Sequence, residues 1–373
     1  MKKIFAFIAI FGGLTLAAAD PYYEATVKHV DAGGEMMTYC NITVPFNTLN
    51  NLTAKLAKVL GQENGIAKSA INCVLNVLDL TSFKACAQSS VEVEPGFFIY
   101  KDFVYVDGNS KSIFSNKALN NIELDFLSLP ADTRLALVCD MNSAYVWKRL
   151  TQEIENSGDQ ALTAIFAKFK AEAMENGVDI DKIAESINGP ALLAVAGESI
   201  NDLKVVVFIT DSNGAVSALL RQEFTPEDGS NVFKFKELPF LPNAKDAQLI
   251  YNKGSVMFVS DPRIIKSDKK LGDLPQYRKY ADALPKNGYF LFLLDMPQKI
   301  NDEIRSQIPD KARPFFQLKP FSIVLVGVSE PDGVACVAAS SFSVPMCIFN
   351  VLEGVFGTAL DAVANESAAQ NRD

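Results

Sequence analysis

The sequence predicts an α+β fold of repeated strand-helix-hairpin units, in which a mainly antiparallel sheet is covered by amphipathic helices. Short apolar runs bounded by turn residues indicate buried strands. Apolar residues at three- and four-residue spacing after these runs indicate helices with one buried side. The same order of pieces occurs three times along the 373 residues, which is typical of an internal repeat.

The clearest copy of the unit begins at Leu129. The run RLALVCDM, residues 134–141, is as short and apolar as a buried strand. A polar break at Asp140 and Asn142 follows. Apolar and aromatic residues then recur at helical spacing, at Tyr145, Trp147, Leu150 and Ile154.

Two other segments repeat this order. After Leu284, YFLFLLDM (289–296) precedes the helical pattern PQKINDEIRSQI (297–308). The weaker copy near Val30 has EMMTYCNI (35–42) and then VPFNTLNNLTAKL (44–56). Downstream of each helix we predict a strand pair, at 84–93 with 97–106, at 189–199 with 204–210, and at 319–330 with 334–340.

These copies divide the chain into a leader at 1–19, units at 20–128, 129–283 and 284–364, and a tail at 365–373. We also predict helices at 65–80 and at 159–176, with Asp179 capping another helix. Residues 344–364 approach the length of a membrane span. Because Asn350, Glu353 and Asp361 would be costly in a bilayer, we favour a core helix there, with membrane contact as the alternative.

The first nineteen residues match a secretory signal peptide. Lys2 and Lys3 precede an apolar run, and three alanines precede Asp20. The run is too short to span a bilayer comfortably, so an uncleaved anchor is the less favoured alternative. The short signal is of bacterial type, and we expect cleavage after Ala19 and a periplasmic or secreted location.

The charge balance argues against several kinds of partner. The chain has 35 basic and 44 acidic residues, and removing Lys2 and Lys3 changes the net charge from −9 to −11. An acidic chain without a basic cluster is a poor nucleic-acid ligand, because phosphate neutralisation supplies most of that affinity. We expect a soluble protein with no stable membrane span after cleavage of the signal.

The six cysteines allow two interpretations. An even number in an exported protein favours disulfides, and Cys73 with Cys86 and Cys336 with Cys347 are candidate local pairs. Cys40 and Cys139 instead occupy equivalent strand positions, which favours small buried hydrophobic residues. Since no CxxC spacing occurs, a zinc site is not predicted.

We predict no catalytic, cofactor-binding or metal-binding residue. His29 is the one histidine, and the motifs of common hydrolases and nucleotide-binding proteins are missing from the sequence. Two acids could still hydrolyse a glycosidic bond, and Asp140 and Asp295 occupy equivalent strand ends. Helix capping is the favoured role for both.

Part of the chain resembles a family of uncharacterised exported bacterial proteins. The resemblance lies in the order of LPADTRLALVCDM, the long helices, VDIDKIAESINGPALLAVAG, KVVVFIT and LGDLPQYRKYADALP. It covers mainly residues 129–296 and departs in the first unit. It implies an envelope or extracellular location, no established activity and no functional residue.

We therefore expect an exported, non-enzymatic protein that binds through a sheet face, a groove between units or an apolar pocket. The partner would be an apolar small molecule or an envelope protein. The alternatives are an acid-dependent glycan hydrolase and an inhibitor or assembly factor of another envelope protein. The sequence leaves the ligand, the oligomeric state and the disulfides open.

Overall fold

The computed structural model describes residues 20–43, 51, 55, 65–108, 110–115, 117–226, 229–236, 246–308 and 319–343. Outside these residues lie the predicted signal peptide, the segment predicted as a helix at 44–56 apart from residues 51 and 55, the predicted C-terminal helix with its tail, and Cys347.

The described residues form strands with the following bounds: β1 Met36–Asn41, β2 Phe83–Glu94, β3 Phe97–Val106, β4 Ile122–Glu123, β5 Thr133–Met141, β6 Gly189–Ala196, β7 Lys204–Thr210, β8 Val232–Lys234, β9 Gln248–Asn252, β10 Ser255–Val259, β11 Asn287–Gly288, β12 Phe290–Met296, β13 Phe321–Glu330 and β14 Gly333–Ser340.

Eight α-helices lie within the same residues: α1 Tyr23–Val27, α2 Gly65–Leu78, α3 Ser143–Glu155, α4 Gln160–Glu175, α5 Ile180–Ser186, α6 Ala215–Glu223, α7 Pro275–Ala283 and α8 Gln298–Gln307. None of these helices is both long enough and apolar enough to cross a membrane.

Twelve strands form one antiparallel sheet in the order β1-β2-β3-β14-β13-β12-β5-β6-β7-β10-β9-β8. The short strands β4 and β11 pair separately. A large antiparallel sheet with helices in similar proportion confirms the α+β class. Three groups of three strands lie side by side, β1 to β3, then β14 to β12, then β5 to β7, so groups adjacent in sequence are not all adjacent in space.

One side of the sheet, which we call the filled face, carries the largest buried cluster. Leu291, Leu293, Val324 and Val326 are almost completely buried there, together with Tyr280 of α7. Successive side chains of a strand point to opposite faces of the sheet. Every second residue of β12 and β13, including these four, therefore lies on the filled face. The filled face therefore supplies the main core of the protein.

The predicted cap of α5 is confirmed, and the structure adds a cap of α4. The Asp159 carboxylate accepts hydrogen bonds from two backbone amides of α4, and Asp179 accepts one from Lys182. The prediction that Asp140 caps α3 is wrong, because Asn142 accepts the bond from the Tyr145 amide at 2.9 Å. Capping needs a side chain next to the first turn, and Asp140 still lies within β5.

A buried carboxylate fixes α6 to the end of β7. Asp211 is 1% exposed and accepts hydrogen bonds from the hydroxyls of Ser186 and Ser217 and from the amides of Val216 and Ser217. Burial opposes ionisation, but these bonds lower the pKa of Asp211 below its usual value. Asp211 thus anchors the first turn of α6 to the end of β7.

Truncation of a central core side chain tests the importance of the filled face. We expect Leu293→Ala to lower the free energy of unfolding by roughly 2–5 kcal/mol, because the surrounding side chains cannot move enough to fill the cavity that the substitution leaves. Urea denaturation followed by circular dichroism measures the change. Val93→Ala is the control, since Val93 is 58% exposed and should cost under about 0.5 kcal/mol. Equal losses from both substitutions would contradict this assignment of the core.

Candidate functional site

The opposite side of the sheet is also apolar over five central strands, but it is only half-buried. We call this surface the apolar face. It consists of fourteen side chains on β13, β12, β5, β6 and β7: Ile323, Leu325, Phe290, Phe292, Leu294, Leu135, Leu137, Cys139, Ala191, Leu193, Val195, Val205, Val207 and Ile209.

The strand register makes this surface continuous. Phe292 lies opposite both Leu325 and Leu137, Leu137 lies opposite Leu193, and Leu193 lies opposite Val207. Directly opposed residues of antiparallel strands present their side chains on the same side of the sheet. One unbroken apolar row therefore crosses all five strands.

The spacing of strands gives the size of the apolar face. Four inter-strand gaps at roughly 4.8 Å span about 19 Å, and three alternate residues along a strand span about 13 Å. With its side chains the surface covers a few hundred Å², the size of the largest apolar patches on monomeric proteins, which are often functional.

The polar residues nearest the centre of the sheet lie on the filled face. The Arg134 guanidinium pairs with Asp295 and also donates a 2.8 Å hydrogen bond to the Gly197 carbonyl. Burial raises the pKa of Asp295 even though the Arg134 charge opposes this shift. Asp140 is buried and accepts a 3.0 Å bond from the Asn120 amide.

Asp140 and Asp295 cannot act as a pair. Leu294 lies opposite Leu135, and Phe290 lies opposite Cys139, which places the two acids at opposite ends of the β5–β12 pair. Six residue positions separate them, or about 20 Å. Glycosidases hold their two carboxyl groups about 5–9.5 Å apart. The hydrolase hypothesis that used these residues is wrong in its geometry, and neither acid caps a helix.

The pair of Arg134 and Asp295 can be tested by a double-mutant cycle. We expect Arg134→Met alone to cost about 3–5 kcal/mol of stability, because it leaves a buried carboxylate without its partner. Asp295→Leu combined with Arg134→Met should recover most of this loss, since no charge then remains. Additive losses in urea denaturation would contradict the pairing.

Beyond Ile323 and Leu325, the same side of the sheet carries a half-buried acid. Asp102 on β3 lies opposite Gln88 on β2 and Cys336 on β14. Burial raises the pKa of Asp102 to about 6, although a hydrogen bond from Gln88 acts in the other direction. At neutral pH the ionised carboxylate is therefore a destabilising group.

The sign of this effect gives a pH-dependent prediction. Between pH 4 and 6 the folded protein holds a proton on Asp102 that the unfolded chain has lost, so this contribution to stability falls as pH rises. We expect Asp102→Asn to increase the free energy of unfolding by roughly 1–3 kcal/mol at pH 7.5 and by almost nothing at pH 4.

Urea denaturation at several pH values measures that difference. The matched control is Asp211→Asn, which should be destabilising at pH 7.5 because the Asp211 carboxylate is stabilised by its hydrogen bonds. A constant difference between wild type and Asp102→Asn over the pH range would contradict the raised pKa of Asp102.

A second candidate is an open groove of about 700 Å³ lined by residues of α3, α4 and α5. Trp147, the single tryptophan, donates from its indole nitrogen to Asp181 at 2.6 Å, and the Lys170 ammonium lies 2.6 Å from the same carboxylate. The Lys170 and Trp147 bonds lower the pKa of Asp181. Since the three side chains satisfy one another, they tie the three helices together.

The histidine and the cysteines show no catalytic arrangement. The His29 ring stacks on Phe103 at 3.7 Å, and its Nε2 atom is 3.6 Å from Asp332 Oδ1. Among the described residues no group of three His, Cys, Asp or Glu side chains could hold a metal ion. His29 is thus placed as a packing residue at the first strand group.

The structure corrects two expectations for the cysteines. Cys73 is buried in α2 and contacts the Glu153 carbonyl at 3.3 Å, whereas Cys86 lies on β2 opposite Cys40. The predicted Cys73–Cys86 bridge is therefore wrong. Cys40 is exposed, so its prediction as a buried hydrophobic residue is also wrong, because β1 is the outer strand of the sheet. Cys139 is half-buried in the apolar face.

Comparison with protein-family models, with curated proteins and with solved structures gives no match for this chain. The family resemblance of residues 129–296 stays an expectation from the sequence.

Sequence reasoning did not separate the two faces. Both alternate sets of β5 and β12 are apolar, as in LALVC and FLFLL, so the strands carry no polar-apolar alternation. A strand whose side chains are apolar on both faces of the sheet is predicted to be buried on both faces.

Proposed function

We propose that this protein is an exported, non-enzymatic binding protein that holds an apolar small molecule on the apolar face. The observation that carries the proposal is the row of half-buried apolar side chains across β13, β12, β5, β6 and β7. Exposure of an apolar surface of this size to water is unfavourable. A ligand that covers it therefore gains roughly 25 cal/mol of binding free energy for each Å² of apolar area removed from water.

The chemistry of the fourteen side chains defines the ligand class. None of them carries a charge, and Cys139 alone contributes even a weak hydrogen-bonding group. Recognition on this surface therefore depends on apolar contact, which suits a hydrocarbon chain or a flat ring system. The aromatic rings of Phe290 and Phe292 provide the largest contact areas.

The partial burial of these side chains favours a small ligand over a protein partner. Anchors of protein interfaces are exposed before binding and protrude into the partner. Phe292 and Leu137 are instead half-buried in the described structure. The acidic balance of the chain, with a net charge of −9, also opposes docking to an anionic membrane surface.

The proposal includes export and an internal repeat. The leader at 1–19 supports export by its sequence pattern. The repeat is supported by the three groups of three strands, which are β1-β2-β3, β5-β6-β7 and β12-β13-β14. In each group the first strand is followed by a helix and then by an antiparallel hairpin of the other two strands. The joining of the second and third groups through β5 and β12 creates the apolar face.

Mass spectrometry of protein recovered from the exported fraction without detergent tests both parts of the proposal. We expect the denatured mass to start at Asp20, and the native spectrum to carry an added small-molecule mass that disappears on denaturation. A retained signal would overturn the export part alone. A bare monomer with no affinity for apolar probes would overturn the ligand part and favour an envelope protein as the partner.

A substitution on the apolar face locates the ligand. We expect Phe292→Ser to weaken binding of a fluorescent fatty acid by roughly 10- to 100-fold, because a buried phenyl contact is worth about 1.5–3 kcal/mol. The control is Ile165→Ser on α4, since Ile165 is apolar and 52% exposed but lies away from the sheet. Equal affinity of the two variants would place the ligand elsewhere.

A further inference from the structure

Two cysteines face each other across the first two strands of the sheet. Cys40 on β1 and Cys86 on β2 are direct partners in the antiparallel register. The neighbouring pairs, Tyr39 with Ala87 and Asn41 with Ala85, continue the register without a bulge. Directly opposed residues of such strands have Cα atoms about 4.5–5.5 Å apart, and disulfides need about 4.4–6.8 Å.

The side chains lie on the same side of the sheet and touch. Burial, and after it the neighbouring Cys40 thiol and Asp102 carboxylate, raises the pKa of Cys86 to about 11. Cys40 is exposed at the outer strand and can be reached by an oxidant. The pair thus combines one accessible thiol with one protected thiol.

The other described cysteines are excluded as partners by the topology. Cys336 is two strands from Cys86 and three strands from Cys139, which are separations of about 10 Å and 14 Å or more. Cys73 lies in α2, where its sulfur contacts the Glu153 carbonyl. Cys40 with Cys86 is the one pair in the described chain that can close without moving the backbone.

We propose that Cys40 and Cys86 form a cross-strand disulfide when the protein meets a disulfide donor, such as a thiol-disulfide oxidoreductase or oxidised glutathione. The Cys40 thiolate attacks the donor disulfide and forms a mixed disulfide. The Cys86 thiolate then attacks the Cys40 sulfur and breaks the mixed disulfide. The donor sulfur that was bound to Cys40 is released as the second thiol of the reduced donor. Two electrons and two protons pass from the cysteine pair to the donor, which is reduced.

The bond would act on the edge of the sheet. Among the described strands, β1 is at the end of the sheet and pairs only with β2. A bridge at this position holds β1 in register and closes a loop of 45 residues that contains α2. In an exporting cell the proposed signal peptide would bring the chain to a compartment where such bonds persist.

Peptide mapping of the purified full-length chain tests the proposal, and it does not depend on where the protein resides. The chain is incubated with oxidised glutathione, alkylated, and digested with trypsin without reduction. Cleavage after lysine separates Cys40 (29–55), Cys73 (69–84) and Cys86 (85–101) into three peptides. We expect the first and third to be recovered as one linked species, two hydrogens lighter than their sum.

Three serine variants serve as controls. Cys86→Ser should abolish the linked species, as should Cys40→Ser at the exposed position, while Cys73→Ser should retain it. Reduction should lower the melting temperature of the wild type and of Cys73→Ser by roughly 5 °C, but not that of Cys86→Ser. Full alkylation of both cysteines after oxidation, or a link from Cys86 to any cysteine other than Cys40, would overturn the proposal.

Discussion

The pairing of β5 with β12 is the interaction on which the remaining structure depends. These strands are about 150 residues apart in the chain, yet Leu137 lies directly opposite Phe292. The pairing joins the β5-β6-β7 group to the β12-β13-β14 group, and β14 in turn carries β3 and the first group. A shift of one residue would exchange the buried and half-buried sets of both strands.

The register also gives the sheet two faces that differ in packing although both are apolar. On one side Leu291 and Leu293 are completely enclosed, with α7 over the same cluster. On the other side Phe290, Phe292 and Leu294 keep part of their surface accessible. A protein whose sheet served only as a core would be expected to close both sides, because interiors pack to a uniform density. The difference between the faces is the reason to look for a ligand there.

The polar groups of the sheet follow a consistent division of roles. Asp211 is held by serine hydroxyls and helix amides that lower its pKa, whereas burial raises the pKa of Asp295 although that acid pairs with Arg134. Asp102 has one compensating bond from Gln88 and lies on the side that includes the apolar face and the Cys40–Cys86 pair. Acids of raised pKa therefore occur on both faces of the sheet, Asp295 on the filled face and Asp102 on the other.

The sequence by itself determined the class and most elements of this protein. The runs that became β5, β7 and β12, the helices after β5 and β12, and the cap at Asp179 are local patterns, and local spacing is sufficient to predict them. Tertiary structure alone decided which strands are neighbours, and therefore that Cys86 meets Cys40 and not Cys73, that Asp140 and Asp295 are far apart, and which side of β12 is filled. These properties depend on pairings between distant parts of the chain, and no local pattern of residues encodes the partner of a strand.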